Sequence, residues 1–143
     1  MVIYYLSLGS NIGNREQTLN AAKQLIEQQI GTILRCSSFY YSAPWGFDSK
    51  NDFCNLCCSV ETDLQPLAML AATQAIERQL GRQHKTSNRQ YQDRTIDIDI
   101  IQAFEGDKEI IMDSKELTIP HPLWQQRDFV RVPLKEILNQ NNI

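Results

Sequence analysis

The sequence predicts an α+β fold: a βαββαβ core in which an antiparallel sheet carries helices packed on its face, with additional C-terminal strands and a short helix. Three observations point there. Four segments of strand length, about Val2 to Leu8, Thr32 to Tyr41, Phe53 to Glu61 and Arg94 to Ile101, are rich in β-branched, aromatic or alternating residues. Two intervening segments carry apolar residues at helical spacing, Leu19, Ala22, Ile26 and Ile30 in one and Met69, Ala72, Ile76 and Leu80 in the other. Their order along the first hundred or so residues is that of the ferredoxin-like split βαβ, with both helices on one side of the sheet.

Each element has a local reason. The first strand is expected to stop at Leu8, where Gly9-Ser10-Asn11-Ile12-Gly13-Asn14 reads as a turn into the first helix. Asn14, with Gln17 three residues on, makes a capping pair. That glycine turn lacks the Lys-Ser/Thr ending of a Walker A loop and the G-x-G-x-x-G of a dinucleotide fold, so it is read first as a turn and cap. Pro66 suits the first turn of the second helix and Gly81 its end. Gln74 and Glu77 share a face near that end, which by itself is ordinary helix solvation. After the fourth long strand come a hairpin strand at Ile110-Ile111-Met112 across Glu105-Gly106-Asp107, a short strand at Leu117-Thr118-Ile119, a Pro120-His121-Pro122 turn and a brief helical tail.

The chain has 143 residues, 42% of them hydrophobic, which is the scale of one globular domain over residues 1–143. A net charge of −3 argues against a general nucleic-acid binder. Met1 to Leu6 has no basic leader, and no run of about 18 apolar residues exists, so neither a signal peptide nor a membrane span is expected and the cytoplasm is the expected location. Cys54 and Cys57 stand three apart on an alternating strand and so on opposite faces. Together with Cys36 and Cys58 they read as buried thiols of a reducing compartment rather than a metal or redox pair.

The segment Arg94-Thr95-Ile96-Asp97-Ile98-Asp99-Ile100-Ile101 carries the strongest chemical signal. Residues i and i+2 of a strand share a face, so Asp97 and Asp99 point one way and Ile96, Ile98 and Ile100 point into a core. Paired carboxylates repel, and a divalent cation relieves them. Hard oxygen ligands favour Mg²⁺, which takes one or two carboxylates and completes its shell with waters and phosphates. A solvated strand face is the alternative. Just upstream, Arg82, Lys85, Arg89 and Arg94 form a basic island around the single acid Asp93. Cations beside paired carboxylates suit a polyphosphate, and a solvated charge run is the other reading.

Taken in chain order, the sequence contains Leu8-Gly9-Ser10-Asn11, Ser38-Phe39-Tyr40 with Pro44 and Gly46, Phe53-x-Asn55, and Glu77 with Gly81-Arg82. The Arg94 to Ile100 run follows, and then Ile119-Pro120-His121 through Arg127-x-Phe129-Val130. Together these motifs resemble the 6-hydroxymethyl-7,8-dihydropterin pyrophosphokinases of folate biosynthesis, over about Tyr4 to Leu138. The resemblance implies transfer of a pyrophosphoryl group from ATP to a pterin alcohol, releasing AMP. It implies that Asp97 and Asp99 hold two Mg²⁺ ions on the ATP phosphates and that Arg82 and Arg94 assist transfer. His121 and Arg127 would contact the triphosphate, with Gln74, Glu77, Ile100 and Thr118 also near the nucleotide. Asn55 would bond the pterin, Phe53 and Phe129 would sandwich its ring, and Ser42, Ala43, Pro44 and Trp45 would line its pocket. Phe53 stands where the family often has Tyr, Pro122 where an aromatic is common, and Tyr91-Gln92-Asp93 where a small residue and Pro are usual. The expected partners are these two small molecules, with no nucleic acid and no membrane, and the expected state is a monomer.

Two other classes stay open on sequence alone. One is a non-catalytic ferredoxin-like module binding nucleotide or RNA through Phe39, Tyr40 and Phe53. The other is a different two-metal phosphoryl or nucleotidyl transferase sharing the paired aspartates.

Overall fold

The computed structural model describes residues 1–43, 52–81 and 96–139. Its elements run β1 (Val2–Ser10), α1 (Arg15–Gln29), β2 (Thr32–Cys36), β3 (Tyr40–Ser42), β4 (Phe53–Thr62), α2 (Pro66–Gln79) and β5 (Asp97–Glu105). The short strands β6 (Lys108–Glu109), β7 (Met112–Asp113) and β8 (Thr118–Ile119), a 3₁₀ turn (Trp124–Gln126) and α3 (Asp128–Asn139) follow. The main sheet has the order β2-β4-β1-β5-β6, with β3 continuing beside β4, and its neighbours are antiparallel. This is the ferredoxin-like arrangement the sequence predicts.

Strand alternation sorts the residues into two layers. Tyr4, Leu6 and Leu8 of β1, Leu56, Cys58 and Val60 of β4, and Ile98 and Ile100 of β5 pack with Leu19, Ala22, Ile26, Met69 and Ile76 of the two helices. Asn14 caps α1 as expected, its side chain accepting from Gln17 N–H at 3.1 Å. Pro66 opens α2, and Gly81 leaves it at φ +104°, a conformation costly for any residue with a Cβ.

Several boundaries differ from the sequence expectation. β1 continues through Gly9 and Ser10, because both pair with β4, at Asn55 and Cys54. The strand expected over Thr32 to Tyr41 is interrupted: five residues from Cys36 to Tyr40 oppose four from Cys58 to Asn55, and the extra residue breaks the ladder. Ser37 stabilises the break, its N–H donating to Cys57 O (2.8 Å) and its Oγ accepting from Cys57 N–H (2.9 Å). The hairpin strand after β5 is Lys108–Glu109, two residues earlier than expected, while Met112 pairs with Ile119 in a separate two-stranded sheet.

The C-terminal helix is longer than a brief tail and lies on the sheet face opposite α1 and α2. Val130, Leu134 and Ile137 cover Cys57, Ile101 and Tyr5 there. Ile101 lies on that side by the same alternation that places Asp97 and Asp99 there, and a bulge follows it: Leu6 faces Ile100 but Tyr5 faces Gln102, so beyond the bulge Ala103 takes the helix-side position. Cys54 and Cys57 lie on opposite faces, and burial pushes the Cys57 thiol up to about 12.

Candidate active site

One row of residues crosses three strands on the α3 side of the sheet. Asn55 of β4 is paired with Gly9 of β1, which is paired on its other side with Asp97 of β5. Cross-strand partners share a face, so the three point the same way. In the next row Cys57, Ser7 and Asp99 are matched. Strands lie about 4.8 Å apart, so the backbones of Asn55 and Asp97 are separated by about 10 Å, with the bare Gly9 peptide between them. A Cβ at Gly9 would stand 2.8 Å from Asn55 Oδ1 and 3.5 Å from Phe53 Cδ1. Phe53 and Asn55 therefore lean over the glycine, and the absence of a side chain there makes room for both.

Asn55 is 2% exposed and held by its amide: Nδ2 donates to Ser42 Oγ at 2.9 Å and to Tyr40 O at 3.2 Å. With both donors engaged, its Oδ1 is fixed toward Gly9. Ser42 pairs with Phe53 across β3 and β4, and half-buried Ser42 and exposed Ala43 lie at the end of that strand. Near the same end, Arg15 at the start of α1 donates to Asp52 O (2.9 Å) and lies 5.3 Å from the Tyr41 ring centroid.

Asp97 and Asp99 are half-buried on β5. Among the described residues the outer edge of that strand carries no strand partner at this point, since β6 pairs only with Phe104 and Glu105. Side-chain and loop groups satisfy it instead. Glu77 Oε2 accepts from Ile98 N–H at 2.7 Å, and His121 N–H donates to Ile101 O at 2.8 Å. Glu77 is 6% exposed, so the expectation of ordinary helix solvation is overturned for it, while Gln74 is half-buried.

His121 follows the cis Ile119-Pro120 bond. Its Nδ1 accepts from Leu123 N–H at 3.1 Å, which assigns the neutral ring its proton at Nε2. Burial and then the Arg127 charge hold its pKa below the ordinary value, while Asp97 pulls it up, so both charges lie within electrostatic reach of the ring. Arg127 is buried between the 3₁₀ turn and α3, and its guanidinium carbon sits 5.8 Å from the centroid of the Phe129 ring. Phe129 itself is half-buried.

The described residues thus gather Phe53, Asn55, Asp97 and Asp99 on one sheet face, with His121 in electrostatic reach of both Asp97 and Arg127. Thr118 is half-buried on β8. Ile100 has its side chain in the helix-side core, so only its main chain is left for a ligand. Pro44, Trp45, Arg82 and Arg94 lie outside the described residues, as do Lys85, Arg89 and the Tyr91-Gln92-Asp93 stretch. Gly9 and Ser7 were not among the candidates. Their signal is the alternation of β1, in which Tyr5, Ser7 and Gly9 form the row opposite Tyr4, Leu6 and Leu8.

Among the described residues no group of three or more His, Cys, Asp or Glu is disposed to hold a metal ion. The donor set is two carboxylates on one rigid strand. That fits a hard cation drawing its remaining ligands from waters and phosphates and does not fit a closed zinc site.

A family model described as 7,8-dihydro-6-hydroxymethylpterin-pyrophosphokinase (HPPK) matches residues 5–139. A 2-amino-4-hydroxy-6-hydroxymethyldihydropteridine pyrophosphokinase of Porphyromonas gingivalis is 45% identical over 137 residues, covering 96% of this chain and 91% of the relative. The enzyme of the same name from Bacillus subtilis is 37% identical over 139 residues, covering 96% and 79%. Among solved structures, an HPPK-DHPS in complex with substrates superposes with a TM-score of 0.71 at 18% identity. That likeness is one of fold, and it spans 97% of this chain but 40% of the longer one.

Proposed function

This chain belongs to the 7,8-dihydro-6-hydroxymethylpterin-pyrophosphokinase family, and from that premise we propose that the Asn55-Gly9-Asp97 row is where its two substrates meet. The reaction is transfer of pyrophosphate from ATP to the hydroxymethyl group of the dihydropterin in folate synthesis. The pterin hydroxyl oxygen attacks the β-phosphorus, the bond from that phosphorus to the α–β bridging oxygen breaks, and AMP leaves with the bridging oxygen. The hydroxyl proton passes to solvent.

The observation that carries the site reading is the bare Gly9 peptide between Asn55 and Asp97. A pterin bonded at its amide edge to Asn55 and stacked against Phe53 and Phe129 would lie over Gly9, with its hydroxymethyl arm toward the aspartates. Ser42, Ala43, Pro44 and Trp45 complete that pocket in this reading. We assign Asp97 and Asp99 as ligands of Mg²⁺, two ions being expected. Bound there, the ion would neutralise phosphate charge and bring the attacking and leaving oxygens into line.

The remaining residues position and neutralise. A neutral His121 offers Nε2–H to a phosphate oxygen while Nδ1 stays engaged with Leu123. Arg127, set by the Phe129 ring, supplies fixed positive charge for the triphosphate. Arg82 and Arg94 take the role of further phosphate clamps, and Gln74, Thr118 and the Ile100 main chain that of nucleotide contacts. No covalent nucleophile is needed, since positioning and charge account for this class of transfer. Four free thiols, three of them buried, suit a reducing compartment, and we place the enzyme in the cytoplasm as a monomer.

Incubation with ATP, Mg²⁺ and 6-hydroxymethyl-7,8-dihydropterin tests the reaction. AMP formed only when pterin is present supports it. ADP as the product would refute it.

A further inference from the structure

We infer that Glu77 is a positioning residue for the Asp97/Asp99 pair, acting through the Ile98 peptide rather than by contact with ATP. This rests on the reading that those aspartates hold Mg²⁺. Ile98 lies between them, and its N–H is directed away from β1, along an edge where β5 has no neighbouring strand among the described residues. The Glu77 carboxylate fills that gap with a short charge-assisted hydrogen bond of 2.7 Å. Ile98 is also 6% exposed, its side chain packed in the helix-side core. The peptide is therefore held by its side chain below and its N–H at the edge, and the aspartates on either side project from a fixed backbone to the opposite face.

The choice of residue supports the inference. Glu77 stands in the last turn of α2, where the carbonyl ends of the helix disfavour a negative charge, and it is almost entirely buried. An apolar residue would avoid both costs. An acceptor oxygen there is explained by what it holds: α2 buries Met69, Thr73 and Ile76, so Glu77 ties the strand of Asp97 and Asp99 to the buried face of that helix. At the far end His121 N–H on Ile101 O performs the matching service.

The test compares Glu77→Leu, which removes the acceptor, with Glu77→Gln, which keeps an acceptor oxygen but no charge. Asp97→Asn serves as reference. Mn²⁺ affinity is read by electron paramagnetic resonance with a non-hydrolysable ATP analogue, and Ile98 amide exchange and pterin affinity are measured on the same proteins. Glu77→Leu should weaken Mn²⁺ binding by about tenfold or more, unprotect the Ile98 amide and leave pterin affinity unchanged. Glu77→Gln should keep both the protection and Mn²⁺ affinity close to native. Native Mn²⁺ affinity in Glu77→Leu overturns the inference. So does a Glu77→Gln protein that binds Mn²⁺ poorly while its Ile98 amide stays protected, because the charge would then act on the ligand itself. If Glu77→Leu does not fold, Glu77→Gln decides alone by those outcomes. Mn²⁺ affinity unchanged in Asp97→Asn instead removes the underlying metal assignment, and the inference with it.

Discussion

Gly9 lies so close to Asn55 that a Cβ on it would stand 2.8 Å from Asn55 Oδ1. Asn55 cannot turn aside without releasing the bonds from its Nδ2 to Ser42 Oγ and Tyr40 O. Gly9→Ala should therefore weaken the pterin and destabilise the fold by about 1–3 kcal/mol. Calorimetric titration of the pterin and urea unfolding check this. Native pterin affinity in the variant would contradict the placement of the pterin over Gly9.

Asp97→Asn and Asp99→Asn should each lower turnover by about 100-fold or more, close to 3 kcal/mol of transition-state stabilisation, with little change in pterin affinity. Both side chains are half-buried on a strand whose backbone stays paired, so the fold should persist. Near-native rates in either variant would remove the metal role.

His121 gives a pH dependence with a definite sign. Burial and Arg127 hold its folded pKa below the ordinary 6.5. A histidine depressed in the folded state binds protons more readily when unfolded. Its contribution is complete above about 6.5 and is lost as pH falls from there through the folded pKa. Denaturation at a series of pH values should show the ligand-free protein losing more stability on acidification than His121→Gln does. Equal slopes would be contrary. Adding an ATP analogue should raise the His121 pKa in an NMR titration if the ring meets the triphosphate.

Ser10 Oγ is fully buried and has no hydrogen-bond partner among the described residues. Removing it should cost nothing: Ser10→Ala is expected to be neutral or more stable by up to about 1 kcal/mol. A clear loss of stability in guanidinium unfolding would show that the hydroxyl has a partner.

Much of this was legible in the sequence, and for identifiable reasons. The alternation of Ile96, Asp97, Ile98 and Asp99 set both the core side of β5 and the opposite side, to which Asp97 and Asp99 project, and the odd spacing of Cys54 and Cys57 put them on opposite faces. Local periodicity does not report pairing register. Gly9 was therefore read as turn rather than strand, since only Asn55 and Asp97 across the sheet show what it does. The break after Cys36 depends on the Ser37 bonds to Cys57, twenty residues away. The side chosen by α3 depends on its packing with Cys57 and Ile101, which lie far from it in the sequence. Glu77 looked like a solvated helix residue because the Ile98 edge it closes lies 21 residues further on.

The most direct test of the site is anomalous diffraction from a crystal holding Mn²⁺, a non-hydrolysable ATP analogue and the pterin. The account predicts manganese peaks about 2.1 Å from carboxylate oxygens of Asp97 and Asp99, with the pterin ring over Gly9 and its edge on Asn55. Manganese bound away from both aspartates, or a pterin seated elsewhere on the sheet, would contradict it.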